Sequence, residues 1–128
     1  MPVAWTPEPD VIETSYSPGA RSGDASTIRQ RVLAAIPERL LVFRTIKAPA
    51  GFPDFDTYRQ TTMVFELEPL GEARTRVRLT GTGFADTEAG RRLLGFFRDG
   101  NRVSLERLRQ RLVAGPLDWA AIAAAEGG

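Results

Sequence analysis

Between positions 61 and 84 the chain alternates apolar and polar residues with a period of two. Thr61, Met63, Phe65 and Leu67 alternate with Thr62, Val64, Glu66 and Glu68. After a break, Val77 and Leu79 alternate with Arg76, Arg78 and Thr80. That period marks strands with one buried face. Pro69 and Gly71 punctuate the break and predict an antiparallel hairpin with a loop longer than two residues. A slip of one residue would turn one apolar set to water. The register therefore sets Leu67 against Val77 and Phe65 against Leu79. It also places Glu66 opposite Arg78 and Glu68 opposite Arg76 on the other face. Such cross-strand pairs contribute about 0.2–1 kcal/mol each, and a solvated face of mixed sign accounts for them equally well.

Elsewhere the strand signals are shorter. Residues 1–9 contain Pro2, Pro7 and Pro9 and read as an extended lead-in. Residues 10–17 alternate so that Ile12 and Tyr16 share a face, which predicts a strand. Residues 18–24 are a loop of turn formers. Residues 26–36 predict a further strand, with Ile28, Val32 and Ile36 among polar neighbours. Residues 40–46 predict another, with Leu41 and Phe43 on one face and Leu40, Val42 and Ile46 on the other. These two form a hairpin about Pro37, Glu38 and Arg39. Residues 47–56 are a loop in which Phe52 and Phe55 fold back onto apolar surface.

From residue 88 to 113 the period becomes 3.6. Leu93, Leu94, Phe97, Asn101, Ser104, Leu105, Leu108 and Leu112 fall on one helix face, and Arg91, Arg98, Asp99, Arg102, Glu106, Arg109 and Gln110 on the other. Asp86 or Thr87 suits the N-cap, and Glu88 adds negative charge to the first turn. Gly95 and Gly100 each cost about 1 kcal/mol against Ala in a helix interior and mark a bend or a start in two pieces. Gly115 and Pro116 end the helix. A further helical turn is expected around Trp119, ahead of a frayed tail over residues 120–128. The fold class is α+β: an antiparallel sheet of about five strands packed on one long C-terminal helix.

Composition narrows the chemistry. The 128 residues suffice for one domain. A net charge of +1 gives no electrostatic case for nucleic acid or an anionic membrane. There is no cysteine, which excludes disulfides, thiolate nucleophiles and cysteine metal sites. There is no histidine, so the commonest general base and metal ligand are missing. Nothing implies a cofactor. No apolar run is long enough to span a membrane, no signal peptide is evident, and a cytoplasmic location is expected.

Several pieces together carry a resemblance. They are Ile36-Pro37-Glu38-Arg39 ahead of a strand, Phe65-Glu66-Leu67-Glu68-Pro69, Gly71, Thr75-Arg76-Val77 and Gly83-Phe84. The run from Phe97 to Trp119 adds a closing helix. In order and spacing these resemble the activator-of-Hsp90-ATPase-homologue-like domain of the SRPBCC superfamily, a START-like, helix-grip fold. The likeness spans residues 10–119 and implies a cavity between sheet and helix. Family members begin with a strand and a pair of short helices that close one end of that cavity; only nine residues precede the matched part here. Three accounts follow: a fragment, a reduced form with an open groove, or a form that oligomerises to cover a bare sheet. An uncovered edge and apolar face predict association into homo-oligomers or poor solubility.

The resemblance implies a hydrophobic or amphipathic small-molecule ligand lying on Met63, Phe65, Leu67, Val77, Leu79, Leu94, Phe97, Asn101, Ser104 and Leu108. Asn101 and Ser104 would orient the ligand or simply satisfy each other. Phe52, Phe55 and Tyr58 form an aromatic lip or a small satellite core. Asp54 and Asp56 fit no cation-loop motif and suit local turn bonding. Arg59 shares the parity of Thr61 and Met63 and could meet an acidic ligand group. Gly81-Thr82-Gly83 lacks the glycine and lysine of a phosphate loop. The helix holds seven arginines without interleaved exposed aromatics, which favours a solvated face over an RNA site. Two further readings are a chaperone-associated protein-interaction module, with a chaperone as partner, and a cyclase or hydrolase of the same superfamily.

Overall fold

The computed structural model describes residues 3–15, 17 and 19–115. The expected side of Tyr16 and the turn around Trp119 lie outside them. Six antiparallel strands form one sheet in chain order: β1 (Val3–Glu8), β2 (Val11–Ser15), β3 (Ile28–Ile36), β4 (Leu40–Lys47), β5 (Thr62–Gly71) and β6 (Arg74–Thr82). A short helix, α1 (Phe55–Tyr58), lies between β4 and β5, and a long helix, α2 (Glu88–Ala114), follows β6. The fold is α+β, with one more strand than the expected five. The chain divides into a sheet unit that ends at Leu93 and a helical unit that begins at Leu94.

The added strand is β1, in the proline-bearing lead-in. Its one proline, Pro7, is compatible with pairing because β1 is an edge. Pro9 and Asp10 make the two-residue turn that joins it to β2, with Asp10 at φ 62°. The β3–β4 hairpin turns on the same chemistry: Pro37 presets φ, Glu38 sits at φ 65°, and Arg39 N–H donates to the Ile36 carbonyl at 3.0 Å.

The β5–β6 register is the expected one: Leu67 faces Val77, Phe65 faces Leu79, Glu66 faces Arg78 and Glu68 faces Arg76. The loop is shorter than expected. Gly71 pairs with Arg74, so only Glu72 and Ala73 connect the strands, and Leu70 is the extra residue of a bulge. Two more bulges interrupt β3–β4. Leu33 is the extra residue on β3 and Ile46 the extra residue on β4. The first turns Ile36 away from the face of Ile28 and Val32, so the three do not line one side. The second brings Lys47 opposite Arg29.

The sheet unit buries its side chains in two places. On β2, Val11, Glu13 and Ser15 are buried while Ile12 and Thr14 are half-buried. The covered side is therefore opposite to the one that carries Ile12, because the loop after β2 folds over it. At the other place Thr45, Tyr58, Thr61 and Met63 are buried, as are Gly90 and Leu93 in the first turns of α2. Thr87 caps α2, accepting a hydrogen bond from Gly90 N–H at 3.0 Å. Gly90 is essential to this entry, since a Cβ there would sit 1.8 Å from the Ala85 carbonyl oxygen. Beyond Leu93, α2 continues as one uninterrupted helix through Gly95 and Gly100.

Candidate functional site

Cross-strand neighbours in an antiparallel ladder point to the same face. Phe43 faces Met63 and Leu41 faces Phe65 on one side of β5, while Leu79 and Val77 face Phe65 and Leu67 on the other. These seven side chains make one apolar patch over β4–β6. The Phe43 and Phe65 rings stack with centroids 6.0 Å apart at 23°. Met63 is buried, and the other six are half-buried. Gly81 keeps the end of the patch open to its neighbours: a Cβ there would lie 3.0 Å from the Phe84 ring and 3.2 Å from Met63 Sδ. Of the expected ligand-lining residues, Met63, Phe65, Leu67, Val77 and Leu79 are thus brought together.

An aromatic cluster bounds the patch beside Phe43. Tyr58 is buried and its Oη accepts a hydrogen bond from Thr45 Oγ1 at 2.9 Å. Thr45 is two residues along β4 from Phe43, on the same face. Phe52 and Phe55 lie against Tyr58 with ring centroids at 5.1 and 6.4 Å. Burial pushes the Tyr58 phenol pKa up, with the Thr45 hydrogen bond opposing it. The loop is fastened to α2 by Asp54, in the left-handed region at φ 57°, whose carboxylate lies 3.2 Å from Arg92 Nη2. Arg59 does not join the patch. It is exposed at the end of α1 and lies 3.7 Å from Asp56.

In the helical unit, Leu94, Phe97, Asn101, Ser104 and Leu108 follow one another along α2. Phe97 and Asn101 are half-buried, while Leu94, Ser104 and Leu108 are exposed. Phe96 and Phe97 meet edge to face with centroids 5.1 Å apart.

The most organised polar cluster has no forerunner in the sequence reading. Glu13 has no exposure to solvent. Its carboxylate accepts hydrogen bonds from Ser22 Oγ, from Gly23 N–H at 2.8 Å, from Thr27 Oγ1 at 2.7 Å and from Arg29 Nε at 3.2 Å. Lys47 Nζ donates to the Thr27 hydroxyl and, at 2.6 Å, to the Asp24 carbonyl. Burial alone would raise the Glu13 pKa; the four donors outweigh it and lower the value to about 2. Glu13 is therefore ionised and enclosed, and holds the loop rather than acting as a base. Its only sequence signal is parity, a Glu between Val11 and Ser15 on one side of a strand.

Two further cavities lie on the sheet unit, the second reaching Leu67 of the patch. One of about 430 Å³ is lined by Thr6 to Ile12 and Val32. Another of about 360 Å³ lies among Arg39, Leu40, Leu67 and the Glu66, Glu68, Arg76 and Arg78 rows. Among the described residues no three His, Cys, Asp or Glu side chains cluster to hold a metal ion, and no helix is long and apolar enough to cross a membrane. Comparison of the chain with protein-family models, with curated proteins and with solved structures finds no match.

Proposed function

We propose that this protein binds a hydrophobic or amphipathic small molecule on the apolar patch of β4–β6. The observation that carries the reading is the contiguous face of Leu41, Phe43, Met63, Phe65, Leu67, Val77 and Leu79, of which only Met63 is buried. Covering such a surface contributes about 25 cal/mol per Å² of apolar area removed from water. Thr45 and Tyr58 at its border supply polar groups that fix the orientation of an amphipathic ligand. The order of a six-stranded antiparallel sheet followed by one long helix supports the START-like reading of the sequence, in which apolar ligands are the expected cargo.

The test is displacement of an anilinonaphthalene sulfonate dye by fatty acids, sterols and aromatic polyketides. At least one class displaces the dye from the intact chain, and Phe65→Ala, checked for folding by circular dichroism, weakens that class by about tenfold through loss of ring contact. Failure of all three classes to displace the dye overturns the proposal. A protein-interaction role draws on a different observation, the exposure of Val103, Leu112 and Val113 on α2.

A further inference from the structure

The sheet has two edges of different character. β1 is short, carries Pro7, and its pairing shifts between Trp5 and Glu8. Such features blunt an edge against further pairing. β6 runs for nine residues without proline and pairs with β5 without a shift from Thr62–Thr82 to Pro69–Thr75. Among the described residues no strand lies beyond it. Every second residue of such an edge points its N–H and C=O outward, ready for another strand.

The side chains of β6 state what that strand should carry. Arg74, Arg76 and Arg78 are exposed on one face. Arg76 is matched by Glu68 at 3.3 Å. Arg74 and Arg78 make no ion pair among the described residues, although Glu66 stands opposite Arg78 in register. On the other face Val77 and Leu79 are half-buried and continue the row of Phe65 and Leu67. Self-pairing is disfavoured: an antiparallel register centred on any residue from Thr75 to Arg78 puts at least one arginine opposite another, and like charges across a ladder repel.

We propose that the outer edge of β6 docks an extended peptide segment of alternating acidic and apolar residues by strand addition. The backbone ladder supplies affinity, the acidic side chains lie beside Arg74, Arg76 and Arg78, and the apolar ones extend the row of Val77 and Leu79. The surface borders the ligand patch at Val77 and Leu79, but the strand addition does not require a ligand to be bound there.

The experiment measures fluorescence anisotropy of two labelled peptides on the intact chain, one alternating Glu with Val and one alternating Lys with Val. The Glu peptide binds at least about tenfold more tightly, from the change of sign at three cross-strand pairs, and its advantage shrinks as salt is raised. The variant R74E/R76E/R78E reverses the preference. Hydrogen exchange on the unmodified chain reads the same contact directly: the Glu peptide slows exchange in β6 and leaves β1 unchanged. If the variant fails to fold, that exchange map decides alone. Equal binding of the two peptides, or of neither, overturns the proposal. So does protection of the outward-pointing N–H groups of β6, those not bonded to β5, before any peptide is added, whether by a second copy in a sedimenting dimer or by the chain itself in a monomer.

Discussion

Glu13 concentrates more of the polar organisation of the sheet unit than any other side chain. A charge without exposure to water is tolerated only when its lone pairs are filled, and Ser22, Gly23, Thr27 and Arg29 fill them. A carboxyl whose pKa falls from 4.5 to about 2 on folding contributes on the order of 3 kcal/mol at neutral pH. The sign follows from the depressed value. The contribution is complete above the unfolded pKa of 4.5 and is lost as pH falls through the folded pKa of about 2. Glu13→Gln keeps the volume but not the charge. It is expected to cost about 2–4 kcal/mol at pH 7 by urea unfolding, with the gap to the unmodified protein closing in acid. Two unfolding profiles that stay parallel from neutral pH into acid would remove Glu13 as the source of acid sensitivity. Nothing in residue type alone announces this role. In sequence Glu13 is one acidic residue in an alternating strand, and its four donors become visible only when the loop folds back over β2.

The entry of α2 depends on a glycine where helix propensity would favour alanine. In an exposed helix interior Gly→Ala gains about 1 kcal/mol. At Gly90 the added Cβ would meet the Ala85 carbonyl oxygen at 1.8 Å, whereas at Gly95 and Gly100 it would meet no heavy atom of the described residues within 4 Å. Gly90→Ala is therefore expected to destabilise by about 1–3 kcal/mol through overpacking, and Gly95→Ala and Gly100→Ala each to stabilise by up to about 1 kcal/mol. Thermal midpoints of the three variants check this; a rise in all three would show that propensity, not the Ala85 contact, sets the effect at Gly90. The extent of α2 was legible because a 3.6-residue period sustained over 27 residues is a strong signal; its cap was narrowed to Asp86 or Thr87, and the structure uses Thr87. The β5–β6 register was legible for a similar reason: Phe65, Leu67, Val77 and Leu79 must share a face, and pairing Leu67 with Val77 and Phe65 with Leu79 achieves this while setting both Glu residues opposite Arg. The bulges at Leu33, Ile46 and Leu70 were not. Each adds one residue to a strand without changing its composition, and its consequence appears only in the partner's register. β1 was hidden by Pro7 within it and by Pro2 and Pro9 beside it, which disqualify a central strand but not an edge. Within the candidate patch, parity found the five β5 and β6 side chains. It misplaced Arg59, because α1 and its turn intervene before β5 and reset the alternation.

At the scale of the molecule, the sheet carries two unlike surfaces back to back. One face of β5–β6 presents Glu66, Glu68, Arg76 and Arg78, and the other presents the apolar patch. Charge of both signs on the first keeps that face in water, so the second is left to bury apolar area or to bind something apolar. These alternatives differ in a measurable way. A patch that only completes the core gains nothing from a small molecule. One that binds a ligand is stabilised by about 2.7 kcal/mol when the ligand stands at 100 times its dissociation constant. For a chain of this length that is a rise in Tm on the order of 10 °C. The dye-displacing ligand class is expected to give that rise in the intact chain and a much smaller one in Phe65→Ala at the same concentration. Amide exchange should slow along β4, β5 and β6 and stay unchanged at the β1–β2 turn. The amides of Glu8, Asp10 and Val11 are the informative control because these residues line the cavity of about 430 Å³, a competing site for an apolar ligand. Protection there with an undiminished rise in Phe65→Ala would move the binding site from the patch to that cavity. An unaltered Tm with every ligand class would leave the patch as core and shift the search for a partner to the exposed side chains of α2.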